Sequence, residues 1–126
     1  MKINEIIKSK NLVIGASENP ARYSNIAIHR LRGSDKETIA IGRREGQVLD
    51  VEIKKELESR EDVDTVTLYL SPKNQDCYKE YIIALKPRRL IFNPGTENPD
   101  WYPALEKENI EAIEACTLVM LSTGEF

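Results

Sequence analysis

The sequence predicts a three-layer α/β fold, with a five-stranded parallel sheet between two layers of helices. Two observations predict it. Short apolar runs rich in β-branched residues recur along the chain, and each is followed by a segment with helical spacing or a helix-start signal. The repeat of roughly 25 residues per strand–helix unit is what right-handed crossovers between parallel strands require. Alternation of this kind buries both faces of the sheet.

The elements follow in order. Residues 2–9 place Ile3, Ile6 and Ile7 at helical spacing, which predicts a short amphipathic helix across the sheet. Asn11 to Gly15 reads as strand one and ends at a glycine. After the loop Ala16-Ser17-Glu18-Asn19-Pro20, a helix runs from about Tyr23 to Arg32, and Gly33-Ser34-Asp35 ends it, glycine suiting a left-handed C-cap. Thr38 to Gly42 is strand two. Between Arg43 and Glu61 the pattern is weak: Val48, Val51 and Ile53 suggest a brief extended piece, and Lys54 to Ser59 a short polar helix.

Val63 and the run Thr65 to Leu70 form strand three, with good β propensity. Ser71 is expected to cap a helix reaching Lys86, with Pro72 in its first turn and Cys77, Tyr81, Ile82 and Leu85 as its apolar stripe. Arg89 to Asn93 is strand four. Asp100 is expected to cap the next helix, which runs to about Glu108. Ile110 to Ala115 is strand five, and a last helix begins near Cys116-Thr117.

The 126 residues suit one domain over 1–126, and no linker or low-complexity run divides them. Apolar residues make up 40% and charged ones 31%, as in folded proteins rather than disordered ones. Lys and Arg total 18 against 21 Asp and Glu, so the net charge of −3 gives no reason to expect nucleic acid or an anionic membrane as partner. No segment approaches the ~18 apolar residues of a membrane span, and the N-terminus lacks a secretory apolar region. Cys77 and Cys116 are far apart in sequence. A cytoplasmic location with free thiols is the expectation.

In an open parallel sheet, ligands bind beyond the carboxyl ends of the strands, where the strand order reverses. With the order 3-2-1-4-5, that crevice lies between strands one and four. The loops after those two strands echo each other: each holds Glu-Asn-Pro, followed at equal distance by Tyr23 or Tyr102. Asn-Pro is also ordinary turn chemistry before a helix, so the echo alone leaves both readings open.

The first loop carries the stronger signal. Gly15 permits close backbone approach, Ala16 and Ser17 are small, and a helix N-terminus follows, an arrangement that favours a phosphate. Ser17 and Ser24 offer hydroxyl donors and Arg22 a charged one. The loop is not GxGxxG, so a plain strand-to-helix turn remains the alternative. At the end of strand two the chain reads Gly42-Arg43-Arg44, with no acid before Glu45. An enzyme using unphosphorylated NAD places an acid there for the ribose hydroxyls. Two arginines instead suit a phosphorylated ribose, as in coenzyme A or NADP, or form a plain solvated pair.

Other tempting residues have plainer readings. His29 is the only histidine and sits inside a helix, away from any proton it would have to reach. Cys116 begins a helix, which can activate a thiol, but such a cysteine more often packs as a small apolar residue. Cys77 reads as core. Two distant cysteines and one histidine make no zinc site, so no metal is expected. Glu56, Glu58, Glu61 and Asp62 read as a solvated face. Trp101 and Tyr102 suit an adenine, a subunit contact or the core equally.

The run Leu12-Val13-Ile14-Gly15-Ala16-Ser17-Glu18-Asn19-Pro20, with Tyr23-Ser24 opening the next helix, resembles the small CoA-binding domain proteins. These are stand-alone, Rossmann-type relatives of the nucleotide-binding domain in the succinyl-CoA synthetase alpha subunit. The resemblance continues through Ile91 to Thr96 and Glu114 to Leu121, and is weak between about 43 and 62. It implies that the first loop holds the pyrophosphate, that the end of strand two lies beside the adenosine, and that the loops after strands three and four complete the cleft. Carried across, it implicates Gly15, Ala16, Ser17, Asn19, Ser24, Arg43, Arg44, Ser71, Pro72, Asn93, Pro94 and Gly95. Relatives often have Asn-Pro after strand two, where this chain has Ile41-Gly42. The synthetases' phosphorylated histidine lies in a second domain, so His29 has no claim to that role. The expectation is a protein that binds coenzyme A or an acyl-CoA without catalysis of its own. An NADP-dependent oxidoreductase and an interaction module that has lost its ligand are the alternatives. Homo-oligomerisation suits so small a unit, with no subunit number fixed.

Overall fold

The computed structural model describes residues 7–126. The helix expected over 2–9 falls largely outside them, and Ile7–Ser9 lead into the first strand without regular structure. Among the described residues, seven strands form one sheet: β1 (Lys10–Ile14), β2 (Thr38–Ile41), β3 (Gly46–Val48), β4 (Val51–Lys54), β5 (Val63–Leu68), β6 (Arg89–Phe92) and β7 (Glu111–Glu114). Their order is β3-β4-β2-β1-β5-β6-β7, and every pairing is parallel except β3 with β4.

Alternation along the strands assigns each face. Leu12 and Ile14 of β1 join Val66, Leu68, Leu90 and Phe92 under α2 (Lys79–Leu85) and α3 (Tyr102–Lys107), through Ile82, Leu85 and Leu105. Val13 points the other way, with Ala40 and Ile53, and meets Ile28 and Leu31 of α1 (Tyr23–Gly33). Leu121 of α4 (Thr117–Thr123) packs on that second face. Central strands buried on both sides explain the near-continuous apolar reading of β1 and β6.

The mostly parallel α/β architecture agrees with the sequence, but the strand count and order do not. Residues 46–54 form a hairpin, with Gly46 opposite Ile53 and Val48 opposite Val51. Its turn is closed by Leu49 in a left-handed conformation (φ 55°). Val51 and Ile53 bury the same face at a period of two, which makes β4 a strand of the sheet. No helix forms over Lys54 to Ser59; β4 ends at Lys54, and the residues after it are irregular. β4 therefore takes the place outside β2 that was expected for Val63 to Leu70. That stretch instead supplies β5, which pairs with β1 on its other side. The strand order reverses between β1 and β5.

Three further expectations change locally. The helix expected from Ser71 opens as two 3-10 turns, Pro72–Asn74 and Asp76–Tyr78, and becomes α-helical only at Lys79. Cys77 is accordingly exposed rather than part of an apolar stripe. Asp100 lies within a 3-10 turn, Pro99–Trp101, instead of capping α3. The left-handed residue after α1 is Asp35 (φ 56°), not Gly33.

Candidate nucleotide-binding cleft

The loop from β1 to α1 is shaped by close backbone approaches. Gly15 has φ +91°, and a Cβ there would lie 2.7 Å from the Tyr69 carbonyl oxygen. No L side chain fits that geometry. Gly42, just past β2, has the same function without a positive φ: a Cβ there would meet the Ala16 carbonyl oxygen at 2.4 Å. The opening loop is thus wedged between the ends of β2 and β5, across the point where the strand order reverses.

The amides directly after β1 are not free. Both Gly15 and Ala16 donate to the Ile41 carbonyl, each at 3.0 Å, continuing the ladder with β2 past its last strand residue. Ser17 Oγ accepts the Asn19 amide and Asn19 Oδ1 accepts that of Ala21, each at 3.0 Å, so these side chains build the turn. The buried Asn25 amide donates to the Ser17 carbonyl at 2.9 Å and ties the loop down to α1. Among the described residues, these bonds leave the amides of Ser17, Glu18, Tyr23 and Ser24 without an internal acceptor. The free donors therefore start two residues later than expected and include the first turn of α1, whose positive end faces the loop.

On the β2 side, Arg43 and Arg44 are exposed, and neither takes part in an ion pair among the described residues. Glu18 reaches across to the hairpin: its Oε2 accepts the Gln47 amide at 2.8 Å. On the β5 side, Ser71 and Pro72 are exposed at the start of the 3-10 turns, and Ser71 Oγ accepts the Asn74 side-chain amide at 3.0 Å. Tyr69 directly follows β5. Burial pushes its phenol up to about 12, against a smaller downward pull from the Thr67 and Thr117 hydroxyls. Those hydroxyls bond each other at 2.7 Å, and the Tyr69 hydroxyl, itself buried beside them, makes no well-aligned hydrogen bond among the described residues.

The loop after β6 belongs to the strand beyond β5, one step farther from β1 than the sequence order implied. Pro94 and Gly95 are exposed there. Asn93 is buried and its side chain is engaged internally: Nδ2 donates to Thr67 Oγ1 at 2.8 Å and to the Leu68 carbonyl at 3.0 Å, while Oδ1 accepts the Thr117 amide at 2.8 Å. It joins β5, β6 and α4 and so shapes the floor of the cleft. Gln75, which the sequence did not single out, does similar work. Fully buried, it donates to the carbonyls of Leu70 (2.8 Å) and Thr96 (2.7 Å) and accepts from Asn98 (3.0 Å).

The remaining candidates fall away from the cleft or into the core. His29 is exposed on α1, with Nδ1 3.0 Å from the Asn25 carbonyl oxygen. Cys116 is half-buried ahead of α4. Trp101 and Tyr102 pack on Phe92, with ring centroids 5.9 and 4.8 Å away. The Tyr102 hydroxyl donates to Glu114 at 2.8 Å, and burial with that carboxylate raises its pKa to about 12. Glu58, Glu61 and Asp62 line a cavity of about 650 Å³ with Arg60 and Tyr81, and no residue of the opening loop lines it. Among the described residues no helix is long and apolar enough to cross a membrane.

The protein-family model for the CoA binding domain matches residues 9–122, from the approach to β1 to the last helix. The chain belongs to the CoA-binding domain family. A crystal structure of an uncharacterized protein is 46% identical, with a TM-score of 0.90, covering 97% of this chain and 100% of the other. A conserved hypothetical protein from Pyrococcus furiosus is 26% identical, with a TM-score of 0.77 over 87% of this chain and 97% of its own. A Thermus thermophilus protein shares the fold at 20% identity, with a TM-score of 0.82 over 94% and 91% of the two chains. No curated protein matches.

Proposed function

We propose that this chain binds coenzyme A, free or acylated, in the cleft where the strand order reverses, and performs no chemistry on it. The carrying observation is the set of uncommitted amides at Ser17, Glu18, Tyr23 and Ser24, at the N-terminal end of α1, in a CoA-binding domain. Backbone donors and the positive helix end suit a diphosphate. The hydroxyls of Ser17 and Ser24 add donors, Asn19 shapes the turn, and Gly15 and Ala16 hold the loop close to the sheet. Arg43 and Arg44, exposed beside the loop and without an ion pair among the described residues, suit the ribose phosphate. Ser71 and Pro72 form the opposite wall, and Asn93, Pro94 and Gly95 its continuation.

Calorimetry with coenzyme A, dephospho-CoA, NADP and NAD tests the reading. Coenzyme A should bind most tightly, and dephospho-CoA and NAD distinctly more weakly. Tighter binding of NADP would transfer the cleft to a redox nucleotide, and no saturable binding by any of the four would remove the assignment.

A further inference from the structure

The opening loop and the Arg43–Arg44 turn are separate in sequence, and one side chain joins them. Glu18 leaves the loop and accepts the Gln47 amide at 2.8 Å, at the first strand of the β3–β4 hairpin. The contact is close-fitting as well as polar. A Cβ on Gly46 would lie 2.4 Å from the Glu18 Cδ and 2.6 Å from its Cγ, so residue 46 must be glycine for the carboxylate to reach. Arg43 and Arg44 lie between two fixed points: Gly42, pressed on the Ala16 carbonyl, and the Gly46-Gln47 backbone, paired with β4 and tied to the opening loop by Glu18.

We propose that Glu18 is a positioning residue: by accepting the Gln47 amide it sets the place of Arg43 and Arg44 relative to the opening loop, and so selects ligands that carry a monophosphate apart from their diphosphate. This rests on the ligand reading above. Without the link, the turn keeps its ends on Gly42 and on the pairing of Gly46 with Ile53, but the opening loop loses its tie to the hairpin, and loop and arginines must be brought into register at the moment of binding, which weakens the contact. Engagement with Gln47 also directs the one acid of the loop toward the hairpin, where its charge is matched by a donor.

The test combines two ligands, three variants and a measurement that needs no ligand. Calorimetry compares coenzyme A with dephospho-CoA on the wild type, Glu18→Ala, Glu18→Gln and Gly46→Ala. Tryptic cleavage after Arg43 and Arg44 is timed on the free proteins. Glu18→Ala should lower the preference for coenzyme A about tenfold, the equivalent of one charge-assisted contact, and should speed cleavage. Gly46→Ala should do the same, because its methyl displaces the flexible carboxylate without removing its charge. Glu18→Gln, which keeps an acceptor oxygen, should restore both. A wild type that prefers coenzyme A, with Glu18→Ala unchanged in preference and cleavage, overturns the role of Glu18 alone. A wild type with no preference overturns the ligand reading and the selection together.

Discussion

The Ala16 carbonyl oxygen occupies the space a side chain on residue 42 would need, since a Cβ on Gly42 would stand 2.4 Å from it. Neither partner yields easily. The oxygen belongs to backbone held through the Ala16 amide to Ile41, and the Ile53 Cγ2 lies 2.9 Å from the same point. Gly42→Ala should therefore cost about 1–3 kcal/mol, as overpacking in a tight core does, and should weaken coenzyme A binding by moving the loop. Urea unfolding and calorimetry check it. A variant that unfolds at the wild-type midpoint and binds normally would show that the loop is looser than its contacts imply.

Asn93 is a second such point, but polar. Its truncation would strand the Thr117 amide and remove the bonds to the Leu68 carbonyl and to the Thr67 hydroxyl, which keeps its bond to Thr117; all three bonds to Asn93 are buried. Asn93→Ala should destabilise the protein by about 2–4 kcal/mol, given roughly 1–3 kcal/mol for each unsatisfied buried group and partial relief by entering water. Denaturant midpoints decide this. An unmoved midpoint would mean that the three elements are held together without the clamp.

These positions also show what the sequence carried. β1, α1, β2, β5 and β6 were legible because β-branched runs end at glycine or turn residues, and such signals are local. The hairpin was not legible: three- and four-residue strands leave little periodicity, and Lys54 and Glu58 mimic a helical ion pair at i,i+4 while bonding at 2.9 Å outside any helix. Without β4, the sequence pattern places β5 outside β2 and so puts β6 rather than β5 beside β1 at the reversal. At the site, the opening loop was found through its small residues and the following helix. Glu18, Gln75 and the capture of the Gly15 and Ala16 amides were not, because all their partners but Leu70 lie 21 to 29 residues away and no local pattern marks them.

Replacing Arg43 and Arg44 together by alanine separates binding from folding. Both are exposed and lack ion pairs among the described residues, so stability should change by no more than about 0.5 kcal/mol. Coenzyme A affinity should fall about tenfold or more, whereas dephospho-CoA should lose little. The coenzyme A loss should also shrink as salt is added. Equal losses for both ligands would move the arginines away from the ribose phosphate.

Asp64 supplies a pH signature. Burial pushes its carboxyl up, but hydrogen bonds from Arg88 and Thr65 outweigh this and hold it below the usual carboxylate range. Arg88 grips it through two bonds, at 2.9 and 3.0 Å. A carboxylate depressed in the folded state stabilises fully above its unfolded pKa, about 3.9, and that contribution is lost as pH falls through the folded value. Arg88→Gln should thus be less stable than the wild type at about pH 7, with the gap narrowing toward about pH 2. Exposure of Arg88 keeps the gap modest and salt-sensitive. A constant gap from neutral to acid would place the effect in packing instead.

Tyr69 offers the opposite kind of test, in which removing a group does no harm. Its hydroxyl is buried beside the Thr67–Thr117 pair, near enough to feel both hydroxyls, yet it forms no well-aligned hydrogen bond among the described residues. An unpaired buried hydroxyl is destabilising, whereas the ring packs usefully against the α1 face of the sheet. Tyr69→Phe should therefore leave stability unchanged or raise it by up to about 1 kcal/mol, while Tyr69→Ala should lose about 3 kcal/mol or more. The phenol also has a spectroscopic reporter. Its pKa of about 12 lies above the ordinary value because the buried anion is disfavoured. With the folded value raised, the neutral form favours folding below the unfolded pKa of about 10, and the stability this group contributes falls away as pH rises through the folded value. Ultraviolet titration of the wild type should show tyrosines ionising late, with Tyr69→Phe lacking one of them. Loss of stability in Tyr69→Phe would mean that the hydroxyl has a partner in solution, and a water bound between Tyr69 and the threonine pair would be the first place to look.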